Sequence, residues 1–562
     1  MVKQRKWSMV ILPLIFAAGI VGGVWIGKYM FVSTRSAHED KLRTILEMID
    51  NEYVDEVNMD SLMEELYPRL LELLDPHSAY IPASELQAVN DDLEGSFSGV
   101  GVSFQIMNDT VTIIEVVAGG PSEKVGLQAG DKILRADTVD LTGKGATNEN
   151  VFKNLRGKKG SKVTLEILRS TSAKPLKYDI VRGDVPVHSV DAMYALDDKT
   201  GYIRVSKFAR TTAEEFHNAL LTLKLQGVEK FIVDLRGNSG GFMDQAILMA
   251  EEFLKEGQAI VYTKGKLPEY GSIAVADDDG AFSDSELVVL TDEYSASASE
   301  IFAGAIQDND RGLVVGRRTF GKGLVQTQTT LPDSSAIRLT IARYYTPSGR
   351  SIQKDYKLGG ISEYESDIAQ RFKRGEFYNM DSIKLDKSKM FNTMHGRTVY
   401  GGGGIMPDVF VPEDTLGMTS YYVQVVNAGL IQKYAYKVAD NYREVLKNAK
   451  TLDQFKRLLP RDNTLLEGFV EYAAANGVPA RWYYIRKSQN LILSQLKGVI
   501  ARDILGYSSF IEMLNEEDPV VKRGLELLRN GQSPVLIVPS EKTDGKKAAV
   551  PTTKPTTTSK KK

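Results

Sequence analysis

The spacing of hydrophobic positions changes several times along the chain. From Ala37 to Leu74 the apolar residues Leu42, Ile45, Leu46 and Ile49, then Leu62, Leu66, Leu70, Leu71 and Leu74, recur at about 3.6 residues, which predicts helices. Pro68 is expected to kink or divide the second run, and Asp75-Pro76-His77-Ser78 ends it. Between Phe97 and Val185 the pattern becomes short branched runs between glycine turns, such as Val111–Ile114, Gly119-Gly120-Pro121-Ser122 and Val163–Leu168; this predicts a β-rich module. From Val187 to about Pro412 strand-like runs alternate with helical periods. Tyr202–Val205 and Phe231–Arg236 read as strands, Ala213–Leu225 and a run ending at Phe253 as helices, so a layered, mainly parallel sheet is expected. Residues 355–397 interrupt that alternation with tyrosines and charge, an excursion expected to be partly helical. Thr415 to about Arg529 is helical again, and from Glu541 Lys, Pro and Thr dominate, which predicts a disordered tail.

The most informative stretch is Glu286–Gln326. Leu287-Val288-Val289-Leu290 is a short apolar run expected as a buried strand. Small polar residues Ser295-Ala296-Ser297-Ala298-Ser299-Glu300 follow, and then Ile301, Phe302, Ala305 and Ile306 at helical spacing up to Gly312. Leu313-Val314-Val315-Gly316 is a second strand, followed by Gly321-Lys322-Gly323 with no acid close by in the chain.

Composition narrows the chemistry. The chain has 562 residues, enough for roughly three to five domains, and a net charge of −3, which gives no sign of nucleic acid. It has no cysteine, so disulfides, thiol catalysis and lipoprotein acylation are excluded. Its five histidines, His38, His77, His188, His217 and His395, have no HxH or HxxxH spacing, which argues against a zinc hydrolase. Lys3, Arg5 and Lys6 precede an uncharged span from Trp7 to Gly27, long enough at about 1.5 Å per residue to cross a bilayer. The basic residues place the N-terminus in the cytoplasm of a bacterial cell, and the rest of the chain outside the inner membrane, in the periplasm. Cleavage of the span as a signal peptide, near Phe16-Ala17-Ala18-Gly19, is the alternative to a single-pass anchor.

Ser297 follows a strand and opens a helix. Ser297-x-x-Glu300 is a capping box, so a purely structural role competes with a catalytic one; the same helix end also offers N–H groups to developing negative charge. Lys322, between glycines in apolar surroundings, is the candidate base: an ammonium without a carboxylate partner has its charged form disfavoured, and a neutral amine can take a serine proton. Gln326 is placed to orient Lys322, provided the chain curls at Gly323, because residues four apart in a straight strand lie about 13 Å apart. The backbone N–H of Ala298 and that of Gly240 or Gly241 are the oxyanion candidates. Two other motifs compete. Gly237-Asn238-Ser239-Gly240-Gly241 fits the GxSxG elbow, but the only later histidine is His395; Ser351-Ile352-Gln353-Lys354 fits SxxK, but without SDN or KTG partners.

Several of these motifs carry a resemblance. Phe97–Phe104, with Gly99-Val100-Gly101-Val102, and the later segment from Gly119 to Leu134 closely resemble a PDZ domain. That resemblance implies a groove taking a peptide C-terminus as an added strand, with Gly99, Val100, Gly101 and Val102 at the carboxylate end. Asp75–Tyr80, Asp234–Gly241, Ser295–Glu300, Thr319–Gln326 and Tyr345–Arg350 resemble, in order, the carboxyl-terminal processing peptidases, also called tail-specific proteases. The resemblance implies a Ser–Lys endopeptidase assisted by Gln326, acting on exported proteins at or near their C-termini, with no metal or cofactor expected. It also implies a multidomain α+β chain whose α/β core is related to the crotonase and Clp-peptidase group, with the PDZ module inserted. The expected divisions are 1–35 stub and membrane segment, 36–90 N-terminal helices, 91–185 PDZ, 186–414 protease core, 415–540 C-terminal helices and 541–562 tail. An adaptor protein or a homo-oligomer is left open as a further partner. The alternatives to a Ser297 protease are an exported PDZ scaffold with an inactive core, and a GxSxG hydrolase using Ser239.

Overall fold

The structure, a computed structural model, describes residues 37–532 apart from 108 and 173. The expected membrane segment Trp7–Gly27 and the tail 541–562 lie outside the described residues. Among the described residues no helix is long and apolar enough to cross a membrane. Of the described residues, those up to Leu73 form a unit of their own, with helices Ala37–Glu52 and Met59–Glu72. The second is capped by Asn58, whose side chain accepts from Ser61 N–H, and it runs undivided through Pro68.

The larger unit begins at Leu74 and is built on a six-stranded sheet. Its order is Val190–Ala195, Thr200–Val205, Lys230–Asp234, Glu286–Thr291, Leu313–Gly316 and Val409–Phe410. The first pair is antiparallel and the rest are parallel. Leu287 to Leu290 are all buried, and consecutive residues feed opposite cores, so this strand is a continuous apolar run rather than an alternating one. Val289 and Val233 face helices Thr212–Leu225, Met243–Glu251 and Ala298–Asp308, around a cluster of Phe216, Phe231, Phe253 and Phe302. Val288, Leu290 and Ile232 face Val520, Val521, Leu527 and Leu528 of the helix Pro519–Arg529. Gly524 lets that helix come close: a Cβ there would stand 3.2 Å from Val288 and 3.3 Å from Ile232.

A second, antiparallel sheet flanks this core. Ala336–Tyr345 pairs with Ala79–Ile81, Ala259–Gly265 and Leu324–Thr330. The expected N-terminal helical region 36–90 is therefore divided: its last part supplies a strand to the core, followed by the helix Ala83–Glu94.

The β-rich module enters and leaves through one pair of strands, Ser96–Gly99 against Gly183–Pro186. Inside, Val102–Ile106 lies at the edge of a sheet and, among the described residues, pairs only with Val111–Val116. The excursion 355–397 holds helices Ile361–Glu365 and Asp367–Lys373, and the strand Met390–Asn392, which pairs with Thr398–Tyr400 just beyond it. The C-terminal helices divide at Gly506. Five of them, from Ser420 to Leu505, surround their own core, against which Ile114 and Ala129 of the β-rich module pack. Arg502 is salt-bridged to Glu115 of that module, and Ser170 donates to Asp440. The last two, Tyr507–Asn515 and Pro519–Arg529, cover the central sheet.

Asp518 ties the covering helix down. It accepts from Val520 N–H at 2.8 Å and Val521 N–H at 2.9 Å, and pairs with Arg236 at 2.8 Å. Loss of an N-cap costs about 0.5–2 kcal/mol. Asp518→Ala is expected to lower the urea midpoint accordingly, and Asp518→Asn, which keeps a capping oxygen, to lower it less; equal losses in the two variants would show that the cap is not what matters.

Candidate active site

Ser297 sits at the junction of the strand Glu286–Thr291 and the helix Ala298–Asp308, as the small polar run predicts. Its backbone is forced into φ 56° and ψ −114°, a region that costs a non-glycine residue about 1–3 kcal/mol. The loop is stitched to the Gly237–Gly241 turn, which fixes this geometry. Ala296 N–H and Ser299 Oγ both donate to Asn238 O, at 3.0 and 2.9 Å, and Ser295 Oγ donates to Leu235 O at 2.8 Å. Gly240 lies so close that a Cβ would stand 2.7 Å from Ser297 Cβ and 3.1 Å from Ala298 N.

Two buried side chains bind Ser297 and Lys322 to one another. Glu300, 0% exposed, accepts from Ser297 N–H at 2.9 Å, Gly321 N–H at 2.7 Å, Lys322 N–H at 2.8 Å and the Thr319 hydroxyl. Burial pushes its carboxyl up to about 7, although all four donors pull the other way. On the opposite side the Tyr344 hydroxyl bridges the carbonyls of Ser297, at 3.0 Å, and of Lys322. Along the sequence Glu300 is only a capping-box partner, and no acid lies close to Lys322. In the fold that acid is close, but it is spent on backbone N–H groups rather than on Nζ.

Lys322 Nζ donates to Gln326 Oε1 at 3.1 Å. Burial, helped by the Arg338 guanidinium, holds the ammonium below the ordinary lysine value, against the opposing pull of Glu300 and Asp75. Gly323 does not take the left-handed conformation, and the strand Leu324–Thr330 carries a register shift between Val325 and Gln326, inside the segment that joins Lys322 to Gln326. Lys322 precedes that strand, so straight-strand spacing does not govern the pair. Gln326 Nε2 donates to the carbonyl of His77, in the turn that carries Asp75 and Ser78.

Ser297, Ala298, Lys322, Gln326, Gly240 and Gly241 line one cleft of about 600 Å³. Ser239 lines it too, but no histidine does, and His395 is engaged by Asp310 at 3.0 Å. Lys354 of the SxxK motif is turned toward Asp367, at 3.2 Å, and the rings of Phe320 and Tyr364. The two glycine N–H groups differ. That of Gly240 donates to Asn238 Oδ1 at 2.8 Å and is not available; among the described residues no hydrogen bond engages that of Gly241 or of Ala298. Gly99, Val100, Gly101 and Val102 lie apart from this cleft, at the turn into the edge strand Val102–Ile106. There Gly101 is left-handed at φ 81° and Val100 O accepts from Ser122 N–H at 2.9 Å. The ring of Phe104, on that edge strand, lies 5.3 Å from that of Phe152, in the helix Asn148–Leu155. Among the described residues no cluster of His, Asp and Glu is placed to hold a metal.

Removing the Glu300 carboxylate strands three backbone N–H groups and a hydroxyl in the interior, each at about 1–3 kcal/mol. Glu300→Ala is expected to lose about 3 kcal/mol or more in chemical denaturation, and Glu300→Gln, which keeps one acceptor oxygen, an intermediate amount. Wild-type stability in both would show that the buried carboxylate does not hold this turn.

Residues 199–364 match Peptidase family S41, residues 98–180 the PDZ domain, and residues 421–506 a family of unknown function. A probable CtpA-like serine protease of Staphylococcus haemolyticus (strain JCSC1435) is 32% identical over 379 residues, covering 65% of this chain and 75% of that relative. One from Staphylococcus aureus (strain N315) is 31% identical over 362 residues, covering 62% and 71%. Among solved structures, the photosystem II D1 C-terminal processing protease aligns at 25% identity and a TM-score of 0.34, over 68% of this chain and 95% of that one. The chain is a member of peptidase family S41, of the CtpA-like C-terminal processing proteases, and it carries a PDZ domain.

Proposed function

We propose that the chain is a serine endopeptidase in which Ser297 is the nucleophile and Lys322 its general base. The observation that carries this reading is the double tie between the two residues: Glu300 binds both N–H groups, and Tyr344 both carbonyls, at the edge of one cleft. Ser297 Oγ adds to the peptide carbonyl carbon as its proton passes to Lys322 Nζ. The tetrahedral oxyanion is received by the N–H groups of Ala298 and Gly241, each worth about 10²–10³ in rate. Lys322 returns the proton to the leaving amine as the C–N bond breaks, and then activates the water that releases the acyl group. Gln326 holds Lys322 in line. In the resting cleft the Lys322 amine donates to Gln326 Oε1, and among the described residues no hydrogen bond joins it to Ser297; the contact in which Ser297 Oγ–H donates to Nζ forms as substrate arrives.

In the same reading, the PDZ domain captures the substrate's C-terminus along the open edge of Val102–Ile106, with the carboxylate at Gly99–Gly101. The substrates are exported proteins, and the Lys3–Lys6 and Trp7–Gly27 pattern supports a periplasmic catalytic part tethered to the inner membrane. The core is read as kin to crotonases and Clp peptidases, on its mainly parallel sheet with a helix starting at the nucleophile.

Ser297→Ala is expected to abolish cleavage of an unstructured protein while Ser239→Ala keeps it; the reverse result moves the nucleophile to the GxSxG turn. Lys322→Arg is also expected to be inactive, because arginine stays protonated. The rate is expected to rise with pH as Lys322 loses its proton. Arg338 lowers that pKa, so Arg338→Ala should shift the rising limb of kcat/KM to higher pH; a shift to lower pH, or none, would remove Lys322 as the titrating base.

A further inference from the structure

The excursion 355–397 contributes no residue to the cleft lining, yet it reaches the dyad from behind. The hydroxyl of Tyr364 stands 2.8 Å from His77 Nε2, and the two rings meet edge-on with centroids 5.1 Å apart. Tyr364 is itself held in place: it is buried, its ring lies 5.8 Å from that of Phe320, and Lys354 Nζ sits 3.9 Å from its centroid. His77 belongs to a rigid turn. Asp75 accepts from the N–H groups of His77 and Ser78, both at 2.9 Å, from Ser78 Oγ at 2.6 Å and from Thr340 Oγ1 at 3.1 Å.

The carbonyl of His77 decides which way Gln326 points. A carboxamide has one donor end and one acceptor end, and a backbone carbonyl can only accept. With Nε2 committed to His77 O, the amide presents Oε1 to Lys322. A flipped amide would present its NH₂ group to the amine instead, which cannot hold an ammonium and disfavours the protonated state.

We propose that Tyr364 is a positioning residue for Lys322, acting through the His77 turn and the Gln326 amide, so that the excursion is a working part of the catalytic apparatus. Arg371, also in the excursion, supports the segment that leads into Lys322: it donates to Thr319 O at 3.0 Å and Arg318 O at 2.6 Å, next to the hydroxyl from which Glu300 accepts. The inference rests on Lys322 being the base.

The test is a double-mutant cycle on the full chain, read as kcat, KM and pH dependence with an unstructured protein substrate. Tyr364→Phe keeps the buried ring and removes only the hydroxyl. It is expected to lower kcat about ten- to a hundredfold, the scale of a small misplacement, with KM little changed. The rising limb of the pH profile should move to lower pH, since a misoriented amide no longer stabilises the ammonium. Adding Tyr364→Phe to Gln326→Ala should cost nothing further, because both act on one contact. A Tyr364→Phe enzyme with wild-type kcat and pH limb, or losses that multiply in the double variant, would overturn the proposal. Lys322→Ala separates the two readings: activity in that variant removes the base itself, whereas a dead Lys322→Ala beside a normal Tyr364→Phe removes only the positioning role.

Discussion

The cleft around Ser297 and Lys322 depends on one buried carboxylate. Ser297 and Lys322 lie on different segments, 25 residues apart, and Ser297 is in a conformation that a serine does not adopt unaided. Glu300 gathers the N–H groups of both residues and of Gly321, and Tyr344 gathers the two carbonyls. Each polar group satisfied there is one that burial would otherwise penalise, so the geometry is favoured by the same desolvation that pushes the Glu300 carboxyl up. Lys322 is left with its amine turned to a neutral partner, Gln326, which leaves burial free to weaken its ammonium.

Around that clamp the chain is arranged in layers that fix distance. The central sheet is covered on one face by helices that include the one opening at Ser297, and on the other by the last helices of the chain. Those last helices continue from a bundle that grips the PDZ domain through Arg502 and Glu115, and through Asp440 and Ser170. The PDZ domain is thus joined to the core twice. One joint is the strand pair through which it is inserted, and the other is a helical layer more than two hundred residues further along. A two-point attachment sets how far the edge strand Val102–Ile106 stands from the cleft more narrowly than a single hinge would.

Some boundaries could be read from the residues and others could not. The buried strand Leu287–Leu290, the helix after Ser297 and the strand Leu313–Gly316 are local: branched apolar runs and helical spacing specify them, and the structure agrees to within a few residues. The division of 36–90 was not legible, because Ala79–Ile81 becomes a strand only by pairing with Ala336–Tyr345, far along the chain. Nor was the division of the C-terminal helices at Gly506, since one amphipathic helix looks like another until the surface it covers is known.

The sequence by itself determined the chemistry on offer: a serine at a strand-to-helix turn, a lysine between glycines, a glutamine beyond it, and no cysteine or paired histidines to compete. Tertiary structure alone decided how those groups are used. It spent the N–H of Gly240 on Asn238, leaving Gly241 the uncommitted one of the pair; it placed a register shift between Lys322 and Gln326; and it brought Tyr344 to Ser297 and Lys322, His77 to Gln326 and Tyr364 to His77. The physical reason is that hydrogen-bond partners are assigned by proximity after folding. Proximity between residues 77, 326 and 364 is set by which strands pair and which side chains are buried together, and spacing along the chain does not carry it.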